Sequence, residues 1–282
     1  MKSKRINIGL WLYILLTVLP LGAGLIYALL YASGLTGILN TGATSANWQQ
    51  VFSRELFLSL LYSGGIALVV MLITVFLAIV TTVHHHTKIN KGWVSYLAYL
   101  PLAVPAIVAG FFTLQLLGNA GLLARFAAGL GLISTPADFP DMVNDTWAIG
   151  IIVSHIMLAF PFFLLLYVNL YKNELLSELE QLSATLGANP KDIFRKVQLP
   201  VLLKRSMPTV VLYYLFVFGS YEIPLILGQQ SPQMVSVLVI RKLSRFNLAD
   251  APQAYGIAAV YTVLVIVSVL VYFKRKGAQH AT

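Results

Sequence analysis

Six stretches of this chain stay predominantly apolar for 20 residues or more, and nothing else in the sequence limits the fold as strongly. A bilayer's hydrocarbon core is about 30 Å thick, which a helix crosses in roughly 20 residues. Backbone N–H and C=O groups in lipid must be satisfied within the segment, so each stretch reads as a helix. The spans are expected near 9–32, 56–83, 93–117, 146–171, 206–228 and 254–273. Composition agrees: 58% of the 282 residues are apolar and only 10% charged, against about 25% charged in soluble domains. The fold class is therefore all-α, a polytopic membrane protein with six transmembrane helices. Lys2, Lys4 and Arg5 ahead of the first stretch suggest a signal peptide. Its apolar run is too long for one, and an uncleaved first helix is expected.

The loop charges set the orientation. With the N-terminus in the cytoplasm, fourteen Lys and Arg fall inside, among them Lys88, Lys91, Lys172, Lys204 and Arg205. Five fall outside: Arg54, Arg125, Arg241, Lys242 and Arg245. That bias puts both termini in the cytoplasm. It also accounts for the net charge of +9 without nucleic acid, for which no basic and aromatic surface module is present. The chain has no cysteine, so disulfides and thiol chemistry are excluded. The outward loops are short. The one at 229–253 carries Met234, Val235, Leu238, Val239 and Leu243 at helical spacing, which suits a short amphipathic helix, packed on the protein's own spans or offered to an outer partner.

One inward loop is organised. Leu175, Leu179, Leu182 and Leu186 form an apolar stripe with Glu174, Glu178 and Glu180 off it. Gly187 suits a helix end. Asn189, Pro190 and Asp192 then open a second helix as cap, first residue and dipole partner. Ile193, Phe194 and Val197 make its apolar face, and Pro200 is expected to stop it. The outcome is two short helices meeting at a bend.

This segment resembles the Glu-Ala-Ala signature loop of type I ABC importer permeases. Gly187-Ala188 and Leu199-Pro200 match in type and in the thirteen-residue spacing, and Pro190, Phe194 and Val197 fall where such permeases often have Pro, Phe and an aliphatic residue. The opening differs: Gln181-Leu182-Ser183 replaces Glu-Ala-Ala, with Glu180 one residue earlier. The resemblance implies the type I ABC importer permease fold. It divides the chain into an N-terminal helix and outer loop (1–53), a five-helix transmembrane domain (54–273) with its coupling loop at 172–204, and a cytoplasmic tail (274–282). It implies a bacterial inner-membrane location and three kinds of partner: a cytoplasmic ABC ATPase dimer, a second permease subunit, identical or homologous, and an extracytoplasmic solute-binding protein. ATP and Mg would be used by the ATPase. This chain would bind no cofactor and would not be an enzyme, and it has no Gly-x-x-x-x-Gly-Lys-Ser/Thr phosphate loop. The ATPase-coupling residues would be Gln181, Leu186, Gly187, Ala188, Lys191, Phe194, Arg195, Leu199 and Pro200.

Inside the spans, Glu222 is the one acidic residue, followed by Pro224, which frees the Ser220 carbonyl and can kink the helix. A carboxylate at that depth usually faces a cavity or a partner, so it lines the substrate path, forms a salt bridge with this or a second permease subunit, or sits at the interface in water. Tyr221, Gln115 and His155 are further candidates for the path, and Asn169 is a weaker one. Pro101, Pro105 and Pro161 point to kinked helices. His84, His85 and His86 are read as a helix end, because three consecutive residues cannot face one ion. The pattern Gly219 to Pro224 followed by Leu227-Gly228 looks like permeases of the spermidine/putrescine and iron group. Polyamine is the first substrate choice, with iron, sulfate and phosphonate as alternatives. A stand-alone secondary transporter would need more intramembrane charge or an internal repeat. An embedded enzyme would need more than Glu222 and His155.

Overall fold

The computed structural model describes residues 8–37, 40, 42–89, 93, 96 and 99–279. Lys2, Lys4, Arg5 and Lys91, used above for orientation, lie outside them. Every regular element among the described residues is helical. In chain order these are α1 (Ile8–Ala32), α2 (Ala46–Val51), α3 (Arg54–Ile89), α4 (Ala106–Leu117), α5 (Leu122–Gly129), α6 (Ile149–Asn173), α7 (Leu176–Thr185), α8 (Pro190–Ile193), α9 (Leu199–Phe218), α10 (Glu222–Leu227), α11 (Val235–Leu243) and α12 (Asp250–Gln279). Among the described residues, six segments are long and apolar enough to cross a membrane: Trp11–Ala32, Arg54–Ile89, Ala106–Gly129, Ile149–Asn173, Pro190–Phe218 and Asp250–Arg275.

The chain forms two compact units, Met1–Leu58 with Val235–Thr282, and Ser59–Met234. In the first, α1 packs along α12. Tyr31 stacks on Tyr255 with ring centroids 4.3 Å apart, and Tyr27 meets both edge-on. Gly256 lets Val51 of α2 sit directly on the α12 backbone. Helix α11 is the amphipathic helix expected in the 229–253 loop. It buries Val235, Val237 and Leu238 and packs on α12. Lys242, only 8% exposed, reaches Glu55 at 3.0 Å and Gln253 at 3.3 Å.

In the second unit, α3 has one face of small and β-branched residues. Ser59, Ser63, Ala67, Val70, Thr74, Ala78 and Thr82 are all buried, while Leu61, Leu68, Leu72 and Phe76 stand exposed on the rest of the helix. Small residues permit close helix approach, and large apolar ones satisfy lipid. The core of this unit joins Met71, Ala78 and Ile79 of α3 to Ala159, Phe163, Tyr167 and Tyr171 of α6, with Leu176 and Leu202. Tyr167 and Ser206 share a hydrogen bond of 3.0 Å between α6 and α9.

Three expectations are corrected. The third span does not run from 93 to 117. A 3-10 turn occupies Leu100–Ala103, Val104 is extended, and Pro105, also extended, caps α4. The cause is that Pro101 and Pro105 offer no N–H to a continuing ladder. The spanning segment begins at Ala106 and continues past the Gly118 to Gly121 turn into α5. The fifth span, 206–228, is broken. Helix α9 ends at Phe218, residues 219–221 are not helical, and α10 restarts at Glu222. Pro224 lies in the first turn of α10, where its missing N–H is not needed, so it follows a break rather than kinking a helix. Finally, Pro200 does not stop the helix opened by Asn189. Phe194–Gln198 widens into a π-turn that leads directly into α9. That turn makes room for the Pro200 ring beside the Lys196 carbonyl, with which it would clash in α-register. Helix α6, by contrast, runs unbroken through Pro161.

Candidate functional site

The 172–204 segment is built from local sequence. Helix α6 ends at Asn173, and Leu175 turns the chain in left-handed conformation with φ 51°. Leu176 is fully buried in the core and roots α7. At the other end of α7, Gly187 adopts φ +84°. Its N–H donates to the Ala184 carbonyl and that of Ala188 to the Ser183 carbonyl, both at 3.0 Å. This pair of bonds is a Schellman closure. Asn189 then caps α8: its Oδ1 accepts from the Asp192 N–H at 2.8 Å, and its amide donates to the Asp192 carboxylate at 2.9 Å. Asp192 also pairs with Lys196 at 3.0 Å.

The apolar row on α7 is left uncovered. Leu175, Leu179, Leu182 and Leu186 are 55%, 37%, 58% and 81% exposed. Gln181, Gly187, Lys191 and Arg195 are exposed beside them, and Ala188 is half-buried. Phe194 and Leu199, also expected at this surface, are half-buried and pack in part against the chain's own core. Pro200 is exposed at the start of α9. Glu180 turns back toward α6 and bonds Tyr171.

The second candidate region is the break at 219–221. His155 of α6 is buried, its Nδ1 2.8 Å from the Ile151 carbonyl. A carbonyl only accepts, so Nδ1 carries the proton, and Nε2 accepts from the Ser220 hydroxyl at 3.0 Å. Both ring nitrogens are spent within the chain. His155 thus braces the broken helix and has no ring nitrogen left for a solute. Ser220 lies 65 residues away in sequence, and no local pattern announced it. Tyr221 is half-buried, and Glu222, Gln115 and Asn169 are exposed. Helices α4 and α10, which carry Gln115 and Glu222, pack together, closely at Gly110, where a Cβ would stand 3.0 Å from Ile226. Among the described residues no hydrogen bond or ion pair joins Gln115, His155, Tyr221 and Glu222 to one another.

The three histidines continue α3 near its end. His84 is bonded to the Val80 carbonyl and His86 to that of Thr82. Among the described residues no group of three His, Asp or Glu could hold a metal ion.

A family model described as the binding-protein-dependent transport system inner membrane component matches residues 75–274. The chain belongs to that family. The permease is similar to the molybdenum transport system permease protein of Azotobacter vinelandii, 24% identical over 184 residues, 65% of this chain and 75% of that one. It is 25% identical over 252 residues to the thiamine transport system permease protein of Haemophilus influenzae, covering 87% of this chain but 44% of that protein's length. It is 29% identical over 164 residues to the sulfate transport system permease protein of Salmonella typhimurium, 57% of this chain and 54% of that one. Among solved structures, a bacterial ABC transporter involved in the import of the acidic polysaccharide alginate superposes with a TM-score of 0.66 at 16% identity, over 95% of this chain and 93% of that one. The fold is that of an ABC transporter permease, and both the bend at Gly187 and the break at 219–221 lie within the family match.

Proposed function

We propose that this permease is the translocating, non-catalytic subunit of an ATP-driven importer and that a cytoplasmic ATPase grips it at α7. The observation that carries this is the row of four uncovered leucines on a helix held at both ends by backbone geometry, Leu175 on one side and Gly187 on the other. Lys172, Glu178, Lys191 and Arg195 are exposed in the same segment, so the row is apolar within a charged surface. An apolar groove on a soluble partner fits such a row. The positive-charge bias supports a cytoplasmic position for this segment and both termini, where ATP and Mg are available to that partner. A binding protein would deliver the solute from the opposite side. A second permease subunit, identical or homologous, would complete the pathway; the Haemophilus relative is long enough to hold two such units in one chain.

The test is association. The detergent-solubilised permease should co-purify with its ATPase, and Leu186→Ala should weaken that association about 5- to 30-fold, the effect of withdrawing roughly 1–2 kcal/mol of apolar burial. Unchanged association in Leu186→Ala and in Leu182→Glu would refute the assignment of this face.

For the substrate we propose a cationic solute, polyamine first. Support comes from Glu222, an exposed carboxylate beside a helix break, which among the described residues makes no ion pair. The relatives are named for molybdenum, thiamine and sulfate, and thiamine itself is a cation. Iron, sulfate or phosphonate are the alternatives. Glu222→Gln should depress polyamine uptake while leaving ATPase association intact; unchanged uptake would point to an anion.

A further inference from the structure

We propose that Glu180 acts inside the chain, as one member of a three-residue pin with Tyr171 and Gln198 that ties the coupling helix α7 to the spans α6 and α9. The inference rests on the reading of α7 as the ATPase-gripped helix. Three elements contribute one side chain each. The Tyr171 hydroxyl of α6 donates to Glu180 Oε2 at 2.8 Å. The Gln198 amide, at the end of the π-turn, donates to the Tyr171 oxygen at 3.0 Å and to the same carboxylate oxygen at 3.2 Å. Every donor in the triangle has an acceptor, and the carboxylate receives two bonds. Tyr171 is 1% and Gln198 3% exposed, while Glu180 is half-buried, so the hydroxyl and the amide are shielded from water and depend on these bonds. A fourth element braces the pin: the His86 ring of α3 stacks on Tyr171 with centroids 4.2 Å apart and planes 25° from parallel.

The need for a pin follows from how α7 is attached. Its ends are the left-handed Leu175 and the open bend at Gly187, around which nothing lies within 4 Å of an added Cβ. Leu176 roots only the first turn of this ten-residue helix in the core, so without a second tie the rest of it would swing about that root under load. With the pin, a displacement of α7 moves α6 and α9 as well, and α9 ends at the break at 219–221. The same geometry explains the altered opening of the signature. One residue along an α-helix is a rotation of about 100°. Moving the carboxylate from position 181 to 180 swings it off the exposed face, where Gln181 now stands, onto the face turned toward Tyr171.

The experiment uses the permease reconstituted in vesicles with its ATPase and binding protein. Two quantities are read: affinity for the ATPase, and solute moved per ATP hydrolysed. Tyr171→Phe and Glu180→Ala should each lower the transport-to-hydrolysis ratio about tenfold, the weight of one charged hydrogen bond, with ATPase affinity within about twofold of wild type. The double variant should be no worse than either single one, because both break the same triangle. Glu180→Gln keeps an acceptor oxygen and should restore most of the ratio. A direct contact between Glu180 and the ATPase would give the reverse: Glu180→Gln would lose affinity and Tyr171→Phe would behave as wild type, and either result overturns the pin. If Tyr171→Phe does not fold, the Glu180 pair decides, since equal loss in Glu180→Gln and Glu180→Ala also overturns it. Failure of the wild-type permease to bind any ATPase sinks the functional reading instead.

Discussion

Replacing Gly187 tests the bend directly. Its φ of +84° lies in the left-handed region, which costs an L-residue about 1–2 kcal/mol and a β-branched residue the upper end or more. No atom lies within 4 Å of a Cβ built there, so steric contact adds nothing and the whole effect is backbone conformation. Converted at about 1.4 kcal/mol per tenfold, Gly187→Ala should lower the bent-to-unbent ratio about 5-fold and Gly187→Val about 30-fold or more. Gly187→Asn should be the mildest, because Asn tolerates this conformation. Since the residue is exposed and remote from the core, the amount of protein in the membrane should not change. The assay is binding-protein-stimulated ATP hydrolysis in reconstituted vesicles, with permease content measured by immunoblot. The expected order is Gly, Asn, Ala, Val. A Val variant as active as wild type would refute a required bend. An Asn variant as damaged as Val would refute the conformational argument, pointing to contact with a partner.

Other substitutions probe the frame. Ser220→Ala leaves the buried His155 Nε2 without its donor and should destabilise the permease by about 1–3 kcal/mol, read as a lower thermal midpoint in detergent. Glu55→Ala leaves the buried Lys242 ammonium with only Gln253. It should cost about 1 kcal/mol, discounted because Glu55 is 45% exposed, whereas Lys242→Met should cost less, since it removes the charge itself; denaturation midpoints of the two variants check the order. Gly256→Ala drives a methyl into Val51 and should lower the midpoint by an amount equivalent to about 1–3 kcal/mol.

How far the sequence carried depends on whether a signal was local. Gly187, Asn189, Pro190 and Asp192 act on their own backbone or that of near neighbours, and each takes the conformation its chemistry favours. The amphipathic helix of the 229–253 loop was legible for the same reason: its period is a property of nine consecutive residues. The fifth span was not: Gly219, Ser220, Tyr221 and Glu222 make a short polar dip with apolar residues on both sides, which a kinked single helix would also show, whereas the backbone breaks there. The small-residue face of α3 went unread, since a bilayer makes apolar residues uninformative about burial. Phe194 reads as a surface anchor from its spacing, yet at the start of the π-turn it is half-buried and packs against the core.

By itself the sequence determined that this chain is helical and crosses a membrane six times, with one charged, capped bend between its fourth and fifth spans. Hydropathy, capping and glycine conformation act within a few residues, so order along the chain suffices to read them. The tertiary structure alone decided which side chains of that bend face outward and which are consumed within the protein. It leaves the leucine row bare, turns Phe194 inward, spends both nitrogens of His155 on Ile151 and Ser220, and brings Tyr171, Glu180 and Gln198 into one triangle. Apart from the bond to Ile151, those pairings join residues 9 to 65 positions apart, and only the packing of one helix on another sets such distances.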